Sequence, residues 1–175
     1  LSLDLGLGYT DRLAELGIRL GTLPQYAEHY FLVRRAPSAG AGRLRFGQTM
    51  RWAEAAELPL CLLTPDMHNR ALVDGAFAAA RVVVTPVIQT NSILTLALSV
   101  VAGDVCSVLP GALVGAVRGY GELEALPLAD PKVLTPVGFM FPPGDRPSRT
   151  QEAAMALARE PAWMAQVAAN SGALV

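Results

Sequence analysis

The feature that most constrains the fold is an alternation of short apolar runs with helix-start signals in the middle of the chain. Residues 59–63, 82–90 and 105–109 are apolar runs of strand length, rich in aliphatic and β-branched side chains. The first two lead directly into segments whose apolar residues recur at helical spacing. Strand, helix, strand, helix, strand is the pattern of an α/β fold built on a parallel sheet, so the sequence predicts that class.

Polar residues suited to helix capping stand where the first two runs end. Thr64 followed by Pro65 fits an N-cap with proline at the first helical position, and Asn91 or Ser92 fits the cap of the next helix. In open parallel sheets, strand carboxyl ends and the following helix N-termini face one crevice, where free N–H groups bind anions. These four residues are therefore candidate ligand contacts, with plain capping as the alternative. Arg70, one turn further on, could face either a ligand carboxylate or solvent.

Extended segments flank this core. Leucine alternates with small or polar residues over residues 1–7, which predicts a strand, and residues 8–11 are expected to form the turn after it. Ser148 and Gln151 fit a capping box at the start of the last helix, which Pro161 should interrupt. The other predicted features are strands at 16–23, 26–33, 123–128 and 133–141, helices at 48–58 and 113–118, a helix end at Gly103, and a polar linker loop through residue 42.

Composition limits the classes of protein to which the chain can belong. Only 17% of the 175 residues are charged and the mean hydropathy is +0.36, which excludes a disordered chain and allows one domain or two small lobes. The net charge of −1 and the lack of a basic run argue against a surface that grips a phosphate backbone. Residues 92–117 are nearly all apolar, but Asp104 in the middle and the interruptions at Gly103 and Pro110 argue against a membrane span.

The sequence contains no combination of residues that indicates catalysis or a cofactor. His29 and His68 are the two histidines, and neither has a second metal ligand at helical or hairpin spacing. Cys61 and Cys106 lack zinc-site spacing and are expected to be small buried residues in a reducing compartment. No serine has the glycine neighbours of a nucleophile elbow, and the glycine pair at residues 6–8 lacks the third glycine of a dinucleotide fingerprint. We therefore predict no enzyme activity, no metal and no cofactor.

The order of short motifs along the chain resembles the effector-binding domain of LysR-type transcriptional regulators. The motifs are Leu3-Asp4-Leu5-Gly6-Leu7, Leu23-Pro24-Gln25-Tyr26-Ala27-Glu28, Tyr30-Phe31-Leu32-Val33, Trp52-Ala53-Glu54-Ala55, Leu58-Pro59-Leu60, Arg70 with Asp74 and Phe77, Gln89-Thr90-Asn91-Ser92, Val101-Ala102-Gly103 and Ser107-Val108-Leu109-Pro110. They follow the family's order and spacing from Leu1 to about Val167. Gly103-Asp104-Val105-Cys106 departs from the family's pattern, which typically has Gly-x-Gly at this place.

The resemblance implies an α/β fold of two lobes, like that of periplasmic binding proteins, with a small-molecule effector held in the cleft between them. Lobe I would be incomplete at its N-terminus and comprise residues 1–42. Lobe II would comprise residues 43–136, and residues 137–175 would return to lobe I and form its C-terminal helix. Carried over by position, the effector contacts are Gly8, Tyr9, Thr64, Pro65, Asn91, Ser92 and Phe139.

The function implied by the resemblance is that of a bacterial regulatory sensor that binds a small metabolite, expected to be anionic, without catalysis. It implies a cytoplasmic homodimer or homotetramer, not bound to a membrane, that contacts DNA only through an N-terminal winged helix-turn-helix domain missing from this sequence. One alternative is a two-lobed solute-binding protein of a transport system, which would be a monomer with an upstream signal peptide. Another is a small α/β enzyme, which needs a nucleophile–base pair that the sequence does not provide.

Overall fold

The structure is a computed structural model that describes residues 4–13, 17–37, 42–144 and 147–174. Its contacts divide the chain into two compact units, of which unit 1 comprises Leu1–Glu28 and Leu134–Val175 and unit 2 comprises His29–Val133. These limits differ from the lobe boundaries predicted at residues 42 and 136. The predicted linker loop falls partly outside the described residues, at positions 38–41.

Ten strands and six helices follow one another along the described residues. In chain order they are β1 (Gly6–Tyr9), β2 (Gly21–Glu28), β3 (Tyr30–Arg35), β4 (Arg45–Phe46), β5 (Met50–Arg51), α1 (Trp52–Ala55), β6 (Cys61–Leu63), α2 (His68–Ala79), β7 (Ile88–Thr90), α3 (Ile93–Ala102), β8 (Ser107–Pro110), α4 (Gly111–Ala116), β9 (Leu123–Ala129), β10 (Thr135–Phe141), α5 (Arg149–Leu157) and α6 (Pro161–Asn170). No helix in the described part of the chain has the length and apolar character needed to cross a membrane.

Unit 2 is built on a mixed sheet with β3 at its centre. β3 pairs antiparallel with β8 on one side and with β9 on the other, and β4 and β5 add to β9 in parallel. β6 and β7 pair in parallel, and a parallel bridge between Leu60 and Cys106 joins this pair to β8. The predicted α/β class is confirmed. The parallel arrangement holds for β6, β7 and β8, whereas β3 runs against its neighbours and makes the sheet mixed.

The core of unit 2 lies between one face of this sheet and helices α1 and α2. Trp52 and Phe77 meet edge to face, with ring centroids 5.1 Å apart and ring planes at 89°. The Trp52 indole N–H donates to the Pro131 carbonyl at 3.0 Å, so this fully buried ring keeps its one polar group paired. The other members of the cluster come from both layers: Tyr30, Leu32, Ala55, Leu60, Leu62, Val73, Ala76, Cys106, Val108 and Leu126.

Unit 1 is built on a three-stranded antiparallel sheet in the order β1–β10–β2. The pairing of β10 with β2 shifts between Val137 and Gly138, which makes Gln25 the extra residue of a bulge. The Gln25 side chain accepts a hydrogen bond from the Trp163 indole at 2.6 Å and donates to the Ala158 carbonyl at 3.4 Å. These two bonds attach the end of α5 and helix α6 to the sheet.

Helix starts in unit 1 follow the predicted signals. The Ser148 hydroxyl accepts from the Gln151 amide at 3.2 Å, and the Gln151 side chain accepts from the Ser148 amide at 2.8 Å. Pro161 occupies the first turn of α6, so the proline that was expected to interrupt a helix also starts the next one. Both predictions are confirmed, because capping depends on local chemistry more than on packing.

The strand predicted at residues 82–90 is too long. Only Ile88–Thr90 forms a strand, whereas residues 82–86 belong to none. Val82 and Val84 pack on the unit 2 core and Val83 between them is 95% exposed. The alternation that predicted a strand therefore reflects packing of this segment on the unit 2 core, and not pairing in the sheet.

Three other boundaries differ from the predictions for similar reasons. Gly8 and Tyr9 lie in β1 and not in a turn, because both pair with β10. Pro24 lies inside β2 and not between two strands, at an edge of the sheet and next to the bulge, where proline is tolerated. The helix predicted at 48–58 is confined to Trp52–Ala55, because the preceding residues pair with β9 as strand β5.

Replacement of Phe77 by alanine should lower the free energy of unfolding of unit 2 by about 3–5 kcal/mol, because it leaves a cavity beside Trp52. Urea denaturation followed by tryptophan fluorescence measures this change. Val83→Ala is the control, and at 95% exposure it should change the free energy by less than about 0.5 kcal/mol. A loss for Phe77→Ala no larger than that of the control would contradict the core assignment.

Candidate functional site

The two predicted strand-to-helix junctions lie side by side in unit 2. β6 and β7 are parallel neighbours, and the last residues of the two strands, Leu63 and Thr90, are directly paired. Beyond this pair the Thr64 amide donates to the Thr90 carbonyl at 3.0 Å. The structure therefore brings Thr64 together with the residues that follow Thr90, as the crevice argument requires.

Thr64 does not cap a helix, which corrects the prediction for Thr64 and Pro65. Residues 64–67 form a turn in which the Met67 amide donates to the Thr64 carbonyl at 3.0 Å, and α2 begins only at His68. Pro65 is exposed within this turn. The helix starts late because the turn residues first close a separate hydrogen bond. The Thr64 hydroxyl is consequently not used by the helix.

The Thr64 hydroxyl is the distinctive polar group of this edge. Its Oγ1 atom is buried and has no hydrogen-bond partner among the described residues. Such groups are rare in folded proteins, because an unpaired buried hydroxyl costs about 1–3 kcal/mol. The residue as a whole is only half-buried, so rotation about χ1 can turn the hydroxyl outward.

Ser92 is the N-cap of α3, as predicted. Its hydroxyl accepts from the Thr95 amide at 3.2 Å, and its own amide donates to the Thr90 hydroxyl at 3.1 Å. Asn91, between Thr90 and Ser92, is exposed. Ser92 therefore caps α3, and this cap also fixes the first turn of α3 at the same edge of the sheet as Thr64. Gly103 ends this helix, also as predicted.

Arg70 has a role that neither alternative for it anticipated. Its guanidinium is buried: Nε donates to the Asp74 carboxylate at 2.7 Å, and Nη1 donates to the Leu63 carbonyl at 2.6 Å. Nη1 also lies 3.4 Å from the side-chain oxygen of Gln89. Arg70 therefore contacts the ends of both β6 and β7 from within α2. The i,i+4 spacing of Arg70 and Asp74 was the sequence signal for part of this arrangement.

Thr90 and Gln89 were not among the predicted site residues, although the structure gives both a place in this edge. Thr90 contributes its carbonyl to Thr64 and its hydroxyl to Ser92. A threonine two residues before a serine cap is a pattern of a side-chain-stabilised turn, so the position of Thr90 carried a usable signal. Gln89 carried none, because its contact with Arg70 joins residues 19 positions apart.

The three candidates from unit 1 lie in one sheet. Gly8 pairs with Gly138, and Tyr9 pairs with Val137 in the next row. Phe139 lies on β10, and its ring centroid is 6.2 Å from that of Trp163 in α6. Phe139 thus packs on Trp163 within unit 1.

Tyr26 is a second tyrosine in the same row of the sheet, since Val137 pairs with both Tyr9 and Tyr26. Burial, and then the neighbouring Glu28 carboxylate, raise the pKa of Tyr26 to about 12. Glu28 is itself buried and accepts from the Gly172 amide at 3.1 Å. The end of β2 is thereby tied to the segment that follows α6.

Metal or thiol chemistry has no support in the described residues. No group of three or more His, Cys, Asp and Glu side chains there could hold a metal ion. Cys61 and Cys106 are buried, and burial raises the pKa of both thiols. Cys106 pairs with Leu60, one residue before Cys61, so the two cysteines project from opposite faces of the sheet. Their expected role as small buried residues is confirmed.

The mixed α/β architecture in two units fits the class of periplasmic-binding-protein-like domains. Within this class, residues 2–163 match the family model described as the LysR substrate binding domain. The chain therefore belongs to the LysR substrate-binding-domain family. The resemblance found in the sequence motifs and the expected fold class are both confirmed. Because the match is to a LysR family, it gives no support to the transport alternative.

Solved structures of LysR-family regulators share this fold. CbnR, described as a LysR family transcriptional regulator, has a TM-score of 0.67 at 16% identity, over 90% of this chain and 52% of CbnR. The CcmR regulatory domain of Synechocystis PCC6803 in complex with 2-PG has a TM-score of 0.71 at 15% identity, over 89% and 71%. The effector binding domain of QuiR in complex with shikimate has a TM-score of 0.62 at 15% identity, over 89% and 69%.

At these identities the likeness concerns the fold alone. The chain spans about half the length of CbnR, with 52% of that protein covered. No curated protein matches this chain in sequence. The seven effector contacts and the lobe boundaries therefore stay predictions.

Tyr26 should ionise near pH 12 in the folded chain, against about pH 10 for an ordinary tyrosine. Because the folded state holds the proton more tightly than the unfolded state, the shift stabilises the fold below pH 10. This contribution is lost as the pH rises from about 10 to 12. Ultraviolet absorbance of tyrosinate during an alkaline titration measures the ionisation.

Two variants identify the group in that titration. Tyr26→Phe should remove the late ionisation, and Glu28→Gln should lower the pKa of Tyr26 by removing the adjacent negative charge. A wild-type titration in which all four tyrosines ionise together near pH 10 would contradict the assignment.

Proposed function

We propose that the chain is the ligand-sensing regulatory domain of a LysR-type DNA-binding transcriptional regulator. The observation that carries the proposal is the unpaired Thr64 hydroxyl beside the capped N-terminus of α3, in a chain that matches the LysR substrate-binding family. The effector is a small organic metabolite. CcmR and QuiR, which share the fold, are in complex with 2-PG and shikimate respectively, and these are small polar molecules.

The effector contacts proposed in unit 2 are Thr64, Pro65, Asn91 and Ser92. The Thr64 hydroxyl supplies a donor and an acceptor once χ1 rotation turns it outward. The first turn of α3 supplies backbone N–H groups and the positive end of the helix dipole, which favour an anion. From unit 1 the proposed contacts are Gly8, Tyr9 and Phe139, on the strength of the resemblance.

Anion selectivity is proposed to come from these neutral groups and not from Arg70. The Arg70 charge is already balanced by Asp74 at 2.7 Å, and its Nη1 is held by Leu63 and Gln89. A ligand carboxylate would have to displace Asp74, an exposed carboxylate that is already paired with the buried guanidinium, to reach it. Helix-terminal amides and hydroxyls bind an anion without that penalty.

The proposed role is regulatory and non-catalytic, in the cytoplasm. An effector can shift a conformational equilibrium only by binding one state more tightly than another. The proposed consequence is a change in how the full-length dimer or tetramer presents its DNA-binding domains. DNA contact is proposed to lie in a winged helix-turn-helix outside this sequence.

Self-association is proposed to use an exposed apolar surface of unit 2, here called the α3 surface. It consists of exposed side chains on α3 and at β7: Val87, Ile88, Ile93, Leu94 and Leu98. Leu94 is 68% exposed and Val87 is 61% exposed, and association would remove such apolar surface from water. β7 is also an edge strand that pairs with β6 alone among the described strands. A second copy of this chain is the proposed occupant.

Thr64→Val tests the effector site. The valine keeps the shape of threonine and removes the hydroxyl, so the affinity for an effector should fall by about tenfold, the effect of one lost hydrogen bond. The ligand-free variant should unfold at the same temperature as wild type or slightly higher, because an unpaired buried hydroxyl is removed. Calorimetric titration with a panel of small carboxylates and phosphate esters, including shikimate and 2-PG, measures the affinity.

Thr85→Val is the matched control, because Thr85 is an exposed threonine of the same unit that lies outside any helix or strand. It should leave both affinity and stability at wild-type values. Equal affinity of wild type and Thr64→Val for the panel member that binds would contradict the assignment of Thr64. A panel in which no member binds the wild-type chain would count against the proposed function.

Leu94→Glu tests the α3 surface. A charge in an apolar interface remains unpaired on association, so the variant should shift the dimer toward the monomer with at least a tenfold weaker self-association, about 1.4 kcal/mol. Sedimentation velocity over a concentration series measures this. Leu157→Glu, at an exposed leucine on α5 of unit 1, is the control and should leave self-association unchanged. A monomeric wild-type chain at all concentrations would contradict the proposed interface.

A further inference from the structure

Arg70 lies directly behind both polar segments of the candidate site. Its Nη1 donates to the carbonyl of Leu63, the residue before Thr64, and lies 3.4 Å from the side chain of Gln89, the residue before Thr90. One nitrogen therefore contacts the ends of two neighbouring strands. From the same guanidinium, Nε is held by Asp74 one turn further along α2.

We propose that Arg70 is a positioning residue that holds the 64–67 turn and the 90–92 segment in fixed relation to each other. The inference rests on the proposed function for its biological meaning, since these two segments carry the unit 2 effector contacts. In structural terms it concerns only the buried contacts of the guanidinium. Its planar fork presents Nε and Nη1 as separate donors, so one side chain reaches both strands and the Asp74 carboxylate, whereas a lysine would have to reach all three acceptors from a single nitrogen.

The burial of Arg70 makes this a strong constraint. The residue is 7% exposed, and the short Nη1 contact to Leu63 is to a backbone carbonyl that lies in the interior. A buried charge persists only with satisfied partners, so Arg70 and its partners have little freedom to rearrange independently. The partners in turn fix two hydrogen bonds. The Thr64 amide donates one to the Thr90 carbonyl, and the Ser92 amide donates the other to the Thr90 hydroxyl.

A positioning role differs from a ligand-binding role in what Asp74 does. If Arg70 were the counter-ion of an anionic effector, Asp74 would compete with that effector for the guanidinium. In the positioning role Asp74 is instead a third anchor, which ties the strand ends to α2 through the 2.7 Å ion pair. Loss of Asp74 should then weaken the hydrogen bonds of the same two amides, Thr64 and Ser92, as loss of Arg70 does.

Hydrogen–deuterium exchange of the ligand-free 175-residue chain, read by nuclear magnetic resonance at single amides, tests the proposal. In Arg70→Met the Thr64 and Ser92 amides should exchange about tenfold faster than in wild type, while the central amides of β3 report any global loss of stability. Arg70→Lys keeps the charge and some donor capacity, so it should show a smaller increase at the same amides. If Arg70→Met does not fold, the Arg70→Lys variant provides the measurement. Asp74→Asn should raise exchange at the same two positions.

Phe77→Leu is the matched control, because Phe77 is buried on the same helix and packs edge to face on Trp52. It should lower global stability without a selective effect on Thr64 and Ser92. Exchange at these two amides within twofold of wild type in both Arg70 variants would overturn the proposal. An increase that merely follows the amides of β3, as in the control, would overturn it as well.

The experiment separates this inference from the proposed function because it uses no ligand. Unchanged exchange at Thr64 and Ser92 would remove the positioning role and leave effector binding to be judged by calorimetry. Selective loss of protection would establish the positioning role even if the chain bound none of the effector panel.

Discussion

The parallel pairing of β6 with β7 is the interaction on which the candidate site depends. Parallel neighbours end at the same edge of a sheet, and the pairing of Leu63 with Thr90 makes the two strands end at the same level. A shift of one residue would turn Thr64 to the opposite face and separate its amide from the Thr90 carbonyl. The bridge between Leu60 and Cys106 extends this register to β8, and thereby to the core strand β3.

Local signals in the sequence were enough to predict the elements whose chemistry is local. Ser92, Gly103 and Ser148 begin or end helices as predicted, because a cap is decided by residues three or four positions apart. Thr64 shows the limit of this reasoning. The Thr-Pro pair has a cap signature, but the 64–67 turn closes its own hydrogen bond and α2 starts later. A helix cap at Thr64 and a separate turn over residues 64–67 are both compatible with the local sequence, and the sequence pattern did not distinguish between them.

Long-range contacts explain what could not be predicted. The bulge at Gln25 is held by Trp163, and the buried Glu28 by Gly172, over separations of 138 and 144 residues. The apolar run at 82–90 has the alternation of a strand, yet only its last three residues form one. The order of the family motifs predicted the fold correctly where periodicity gave wrong strand bounds. An ordered series of motifs carries information about the whole fold that no single short segment contains. They identified the family without fixing which side chains contact the effector.

At the candidate site the charge is neutralised within the protein, whereas one hydrogen-bonding group is left without a partner among the described residues. Arg70 and Asp74 form a closed ion pair, so the charge at this edge is neutralised within the protein. The Thr64 hydroxyl has no partner among the described residues, and an unpaired buried hydroxyl costs about 1–3 kcal/mol. An effector that bonds to this hydroxyl recovers that free energy, whereas one without a matching polar group does not. Under the proposed function, the site therefore selects its effector by hydrogen-bond geometry more than by net charge, and the fixed relation between Thr64 and Ser92 sets that geometry.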